Sequence, residues 1–262
     1  MKAHRLVTAC LLLAGCSLPD SPLPRSAALS TSPAGNGVLV ELFTSEGCSS
    51  CPPADRTLAE LSRQGVDGTA VLGLEFHVDY WDRLGWADPF MLPGASQRQE
   101  HYRRQFKTES LYTPQAVVDG QAELVGSHAD QLRGEIARAA RRPHGTLRIQ
   151  ASRGQWRIQL SNLPTGAEPR RLWLALAQDN LQSDPTRGEN QGAQLVHTGV
   201  VRSLQPLGEV PASARDFSTQ VAPPDHHLWP SNALRAVFFV QSDSGRVDAA
   251  AQASLASLMP TP

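Results

Sequence analysis

Two rhythms of apolar residues meet near residue 143. Before it, continuous β-branched and aromatic runs alternate with stretches of helical spacing. Residues 37–44 form an apolar run with one acid inside it, Glu41, and read as a buried strand. Ser45-Glu46-Gly47 breaks the run. From Asp55 the spacing is helical, with Ala54, Leu58 and Leu61 on one face, and Pro52 and Pro53 suit a first turn, where the backbone N–H is unpaired anyway. Residues 69–78 are a second buried strand, residues 94–107 a helix, and residues 116–118 a third strand. Asp119-Gly120 is a tight-turn signal, so residues 121–125 should return as the second arm of a hairpin. Residues 128–141 close the series as a helix, with Leu132, Ile136 and Ala139 inward.

After Pro143-His144-Gly145 the rhythm changes. Leu147, Ile149 and Ala151 alternate with polar neighbours, as do Trp156, Ile158 and Leu160 beyond Arg153-Gly154. Residues 172–177 and 233–240 look like strands buried on both faces. The predicted fold is an α/β domain over 37–143, a central mixed sheet flanked by helices. A smaller, mostly-β, sandwich-like domain over 144–262 follows it.

The N-terminus sets the compartment. Lys2 and Arg5 precede an apolar run from Leu6 to Ala14, too short to cross a bilayer. Leu13-Ala14-Gly15-Cys16 follows, which looks like a bacterial lipobox. The expectation is a signal peptide over 1–15, lipidation of Cys16, and a Pro- and Ser-rich tether over 16–36. The chain then stands on the periplasmic side of a bacterial membrane, held by its lipid. Twenty-four basic residues against 25 acidic ones give no reason to expect nucleic-acid binding.

Of four cysteines, Cys10 and Cys16 fall in the signal, which leaves Cys48 and Cys51. A disulfide between them would close almost no loop, so it stabilises little as a staple and points to chemistry. The pair lies where a strand hands over to a helix N-terminus. Unpaired N–H groups and the helix dipole there favour a thiolate. Cys48 is the attacking sulfur and Cys51 the resolving one. That chemistry needs both sulfurs open to solvent.

Strand, Cys-x-x-Cys, helix, strand, helix, Thr113-Pro114, strand, hairpin and helix resembles the thioredoxin order. More narrowly, the chain resembles an exported bacterial family catalogued as domain of unknown function 1223. The carriers are residues 41–55 around Cys48-Ser49-Ser50-Cys51-Pro52-Pro53, then His77-Val78-Asp79-Tyr80-Trp81-Asp82 and Gly85-Trp86-Ala87-Asp88-Pro89-Phe90. Arg98-Gln99, Tyr112-Thr113-Pro114-Gln115, Gly188-Glu189-Asn190 and Val200-Val201-Arg202 continue it. The resemblance implies a thioredoxin-like fold, a cis Pro114 facing the cysteines, and Thr113 offering backbone to an extended client. It also puts Glu41 in the role of a buried acid that takes the resolving thiol's proton. It supplies no substrate. No tryptophan precedes Cys48, and Ser-Ser stands between the cysteines, which leaves the redox potential open.

Each candidate carries a second, plainer reading. His77, Asp79, Tyr80 and Trp81 leave a strand end beside the cysteines. They read as a proton carrier and client-gripping wall, or as an insert that packs over the sheet. Glu41 reads as a general base or as an edge position facing solvent. Arg187-Gly188-Glu189-Asn190, His197 and Arg202 read as a site facing the first domain, or as a hydrogen-bonding cluster that fixes a loop. The cysteines with His77, His101 or His128 could take Cu(I), which is the rival to redox exchange. Asp225-His226-His227 reads as a metal contact or, more plainly, as a solvated loop. No cofactor is assigned and no metal site is read. The expected activity is thiol–disulfide exchange with protein thiol or disulfide clients. The alternative is a non-enzymatic partner-binding or copper-delivery lipoprotein.

Overall fold

The structure is a computed structural model and describes residues 37–152, 154–225 and 227–259. The predicted signal, Cys16 and the tether lie outside the described residues, as does His226. The first seven elements follow the predicted order. They are β1 (Val38–Thr44), α1 (Pro52–Gln64), β2 (Val71–His77), α2 (Ala95–Phe106), β3 (Gln115–Val118), β4 (Ala122–Val125) and α3 (Ala129–Ala140). Then come β5 (Thr146–Ser152), β6 (Gln155–Ser161), β7 (Arg170–Ser183), β8 (Leu195–Val210), β9 (Phe217–Val221), β10 (Leu234–Ser242), β11 (Val247–Ser254) and a short α4 (Leu255–Leu258).

These strands build a mixed α/β architecture around one large sheet, in the order β11-β10-β7-β8-β2-β1-β3-β4. β1 and β2 are parallel, with Val38 opposite Val71, while β3 and β4 run antiparallel to β1 and to each other. The separate β-rich unit expected over 144–262 does not stand apart. β8 pairs with β2 at Glu75↔Val200, so β7, β8, β10 and β11 continue the sheet begun by β1–β4. Without β8, the outer side of β2 would be an open edge with unpaired backbone groups. Among the described residues, β5, β6 and β9 form a second, three-stranded sheet.

The two faces of the large sheet follow the period of two. One face buries Leu39 and Phe43 of β1, Leu74 and Phe76 of β2, and Ala175 and Phe239 of the second half, against Ala95 and Tyr102 of α2. The other face carries two layers side by side. Val38, Val40 and Leu42 pack on Leu58 and Leu61 of α1 and Ile136 of α3. Leu172, Leu174 and Phe238 pack on Ile149, Trp156 and Ile158 of the small sheet.

The Asp119-Gly120 hairpin forms as predicted. Both residues have positive φ, and the Gln121 N–H donates to Val118 O at 2.9 Å. Gly120 is forced: an added Cβ would sit 1.8 Å from the Gly245 carbonyl oxygen. The sheet curls enough for the Val247 N–H of β11 to reach Asp119 O at 3.0 Å.

Candidate functional site

Cys48 and Cys51 are joined as a disulfide at the start of α1, just beyond the end of β1. The Cys51 N–H donates to Cys48 O at 3.1 Å, and Cys51 O accepts from the Ala54 and Asp55 N–H groups, which starts the helix. Ser50 Oγ lies 3.4 Å from Cys48 Sγ. The Thr113–Pro114 peptide is cis and leads into β3, which pairs with β1 from Phe43↔Gln115 onward.

Exposure of the sulfurs is corrected. Cys48 and Cys51 are both 0% exposed, while Ser49 and Ser50 between them are open to solvent. Two loops form the cover. From the β2–α2 connection, Trp81 lies against Gly47, where an added Cβ would come within 2.8 Å of Trp81 Cβ, and its Nε1–H donates to Thr113 Oγ1 at 2.8 Å. From the β7–β8 connection, Asn190 Nδ2 donates to Glu46 O at 2.8 Å and Cys48 O at 2.9 Å. Glu189 accepts from the Ser49 N–H and Oγ–H at 3.0 and 2.7 Å. Of the two readings of the Arg187–Asn190 segment, Glu189 and Asn190 do face the cysteine turn.

Glu41 is not the acid beside the cysteines. Odd positions of β1 point away from α1, and Glu41 is fully buried on the α2 side. There it takes a two-pronged ion pair from Arg98 and a hydrogen bond from the Tyr102 hydroxyl. A buried acid on the α1 side is Asp55, one helical turn beyond Cys51, which accepts from Thr44 Oγ1 at 2.8 Å. Burial, with Glu75 nearby adding to it, pushes the Asp55 carboxyl up to about 7. The sequence showed Asp55 only as a residue of the first helical turn.

Behind the disulfide lies a buried group of acids and histidines. His77 Nδ1 is 2.9 Å from Asp88 Oδ2, and its Nε2 is 3.8 Å from Glu75 Oε2. His197 Nδ1 lies 3.6 Å from the same Glu75 oxygen and 3.8 Å from Asp55 Oδ2; its Nε2 is 3.4 Å from Glu46 Oε1. Burial alone would lower both histidines. Asp88 and Glu75 outweigh it and lift His77 to about 10, and Glu46 and Glu75 lift His197 to about 9. Glu75 and Asp88 resist their own burial for the converse reason: the histidines hold both carboxyls below their usual range. Trp86 Nε1–H donates to Glu46 Oε2 at 2.6 Å, and Ser183 Oγ–H donates to its Oε1. Sequence reading reached His77 and His197 separately and missed Glu75, hidden inside an apolar strand.

The remaining candidates scatter. Asp79 is exposed and accepts from Ser96 Oγ at 2.6 Å at the start of α2, a local structural contact. The Tyr80 hydroxyl donates to Gln99 Oε1 at 3.2 Å. His101 is exposed on α2 and His128 exposed before α3, so neither joins the cysteines in a copper site. Arg202 stacks over Phe90 and Trp229. Asp225 and His227 are exposed.

The family described as protein of unknown function, DUF1223, matches residues 39–241. No curated protein matches the chain. Protein AGR_C_4864 from Agrobacterium tumefaciens, a solved structure, is 24% identical with a TM-score of 0.66, over 82% of this chain and 92% of that one. HBP35 of Porphyromonas gingivalis is 14% identical with a TM-score of 0.63, over 87% and 77%. At these identities the likeness is one of fold.

Proposed function

We propose, on the premise that the chain belongs to the DUF1223 family, that it is a thioredoxin-like thiol–disulfide exchange protein whose cysteine pair reacts only when its two covering loops part. It would work on the periplasmic side of a bacterial membrane, anchored through Cys16. The strand order β2-β1-β3-β4, with α1 and α3 on one face and α2 on the other, supports a thioredoxin-like frame. The observation that carries the chemistry is the disulfide at the N-terminus of α1, with the Asp55 carboxyl one turn behind it at about 7. An acid titrating near neutrality can give and take a proton there.

The exchange runs as follows. A client thiolate attacks Cys48 Sγ, the Cys48–Cys51 bond breaks, and Cys51 leaves as a thiolate that takes the Asp55 proton. A second client thiolate then attacks the client sulfur of the mixed disulfide. Cys48 leaves reduced, and the client gains a disulfide. Two electrons pass from client to protein. The reverse sequence reduces a client.

Complete burial of both sulfurs favours a second reading, in which the pair is a fixed part of a partner-binding module. One set of variants separates the two. Asn190→Ala removes two hydrogen bonds at about 0.5–1.5 kcal/mol each, so reduction of the pair by dithiothreitol should speed roughly tenfold with the fold intact. Cys51→Ser should trap client proteins as mixed disulfides, Cys48→Ser should trap none, and Cys16→Ser should leave the membrane fraction. A pair that stays oxidised in Asn190→Ala until the chain unfolds, with nothing trapped by Cys51→Ser, overturns exchange in favour of the module.

A further inference from the structure

We propose that Glu75, His77 and His197 form a buried site for one divalent first-row transition cation of the zinc class, bridging β2 and β8. Their donor atoms all lie within 4.8 Å of one another. Glu75 Oε2 is 3.8 Å from His77 Nε2 and 3.6 Å from His197 Nδ1. Four ligands at about 2.1 Å around a tetrahedral zinc stand about 3.4 Å apart, so the two Glu75 contacts need only a few tenths of an ångström of closure.

The second observation is independent of that spacing. His77 Nε2 and both ring nitrogens of His197 are fully buried and have no hydrogen-bond partner. Buried polar atoms almost always have one. The orphaned atoms are not random. Each imidazole turns one nitrogen outward to a carboxylate: Nδ1 of His77 to Asp88 at 2.9 Å, and Nε2 of His197 toward Glu46 at 3.4 Å. The other nitrogen of each faces Glu75. Carboxylate, histidine, metal is the arrangement that orients metal-binding imidazoles and fixes which nitrogen is bare. Glu75 is itself held by the Thr198 N–H at 3.3 and 3.2 Å from its two oxygens. Phe90 packs edge-on to both rings, at 5.6 and 5.4 Å between centroids. Asp55 Oδ2, 3.8 Å from His197 Nδ1, borders the fourth position.

The donor set selects the ion. Two imidazoles and one carboxylate suit zinc, iron, nickel or copper(II); all-oxygen sites suit magnesium and calcium, and thiolates suit Cu(I). The sulfurs are tied up in a disulfide and take no part. A cation here joins residues about 120 positions apart in sequence, so its binding free energy adds to folding stability.

The test uses the full mature chain, stripped with chelator and titrated with Zn²⁺. About one equivalent should bind and raise the thermal midpoint, and Co²⁺ should give the visible bands of a four-coordinate site. His197→Gln should abolish both signals while keeping the Cys48–Cys51 disulfide. Asp88→Asn should weaken binding about ten- to a hundredfold. Should His197→Gln fail to fold, the wild-type midpoint shift and the Co²⁺ spectrum decide alone. A stripped wild-type chain with no stoichiometric Zn²⁺ uptake, no Co²⁺ bands and an unmoved midpoint overturns the site. So does a folded His197→Gln chain that binds as well as wild type.

Discussion

Arg98 sits with its guanidinium over four aromatic rings, those of Phe76, Tyr102, Trp173 and Phe239, at 5.4–5.9 Å. Its charge is answered by Glu41, and it also donates to Gln241 Oε1 at 3.1 Å. Arg98→Met fills similar space but strands a buried carboxylate, so a loss of roughly 3–5 kcal/mol is expected in urea denaturation. Double replacement with Glu41→Leu should recover much of it. A loss below 1 kcal/mol for the single change would mean that Glu41 is solvated. The same pair shows where sequence reading fails at this scale. An acid inside an apolar strand announces that it is buried, but not toward which face. For Glu41 only the packing of α1 against the even positions of β1 supplies that face, and it leaves Asp55, on the helix, as the acid beside the cysteine turn. Cys48 and Cys51 were legible because they mark a turn and a helix start, and the cis Thr113–Pro114 was legible only through the family resemblance. Burial of the sulfurs was not, since the cover comes from Asn190 and Trp81, far away in the chain.

Elements join at corners, and Asp119 makes one of them. Its Oδ1 accepts from the Leu39 N–H at 2.8 Å, its N–H donates to Leu39 O at 2.8 Å, and its Oδ2 lies 2.9 Å from His144 Nε2. His144 Nδ1 is 2.9 Å from Arg142 O, so both ring nitrogens face acceptors and the doubly protonated ring fits. The hydrogen bond to Asp119 is the main cause that raises the His144 pKa. A raised histidine stabilises the fold fully below its unfolded value, about 6.5, and loses that contribution as pH climbs through the folded value. The stability gap between wild type and His144→Gln should therefore be widest near pH 6 and narrow toward pH 9. A gap that is flat or grows with pH would refute the charged pair. Elements with a clear period or a turn signal were legible: β1, β2, the β3–β4 hairpin and the three long helices. β9 and β11 were not. The Ala249-Ala250-Ala251 run of β11 has no β preference of its own and is a strand because β10 pairs with it.

For the whole molecule, the expected division at residue 143 gives way to a sheet that crosses it. Composition does change there, since the first half alternates strands with helices and the second does not. Pairing between distant strands leaves no local signature, and so β8 beside β2 could not be read. A chain ending at residue 143 would expose the outer edge of β2 and the apolar face shared with Ala175, Val237 and Phe239, and would deprive Glu75 of His197 and the Thr198 N–H. Such a fragment is expected to stay unfolded or aggregate, and the intact chain from residue 37 should unfold in one cooperative step by circular dichroism and tryptophan fluorescence together. A stable, monomeric 37–143 fragment would contradict this.

The ribbon of β7 and β8, 14 and 16 residues long, turns back on itself at the segment that holds Cys48 O through Asn190. Its far end, where Arg170 pairs with Ser242 of β10, packs Leu172 and Val210 with the small sheet. A long ribbon that flexes moves most at its tip. Pressure or a docked protein at that distant flank would therefore be felt as slack or tension over the sulfur–sulfur bond, without anything touching the cysteines.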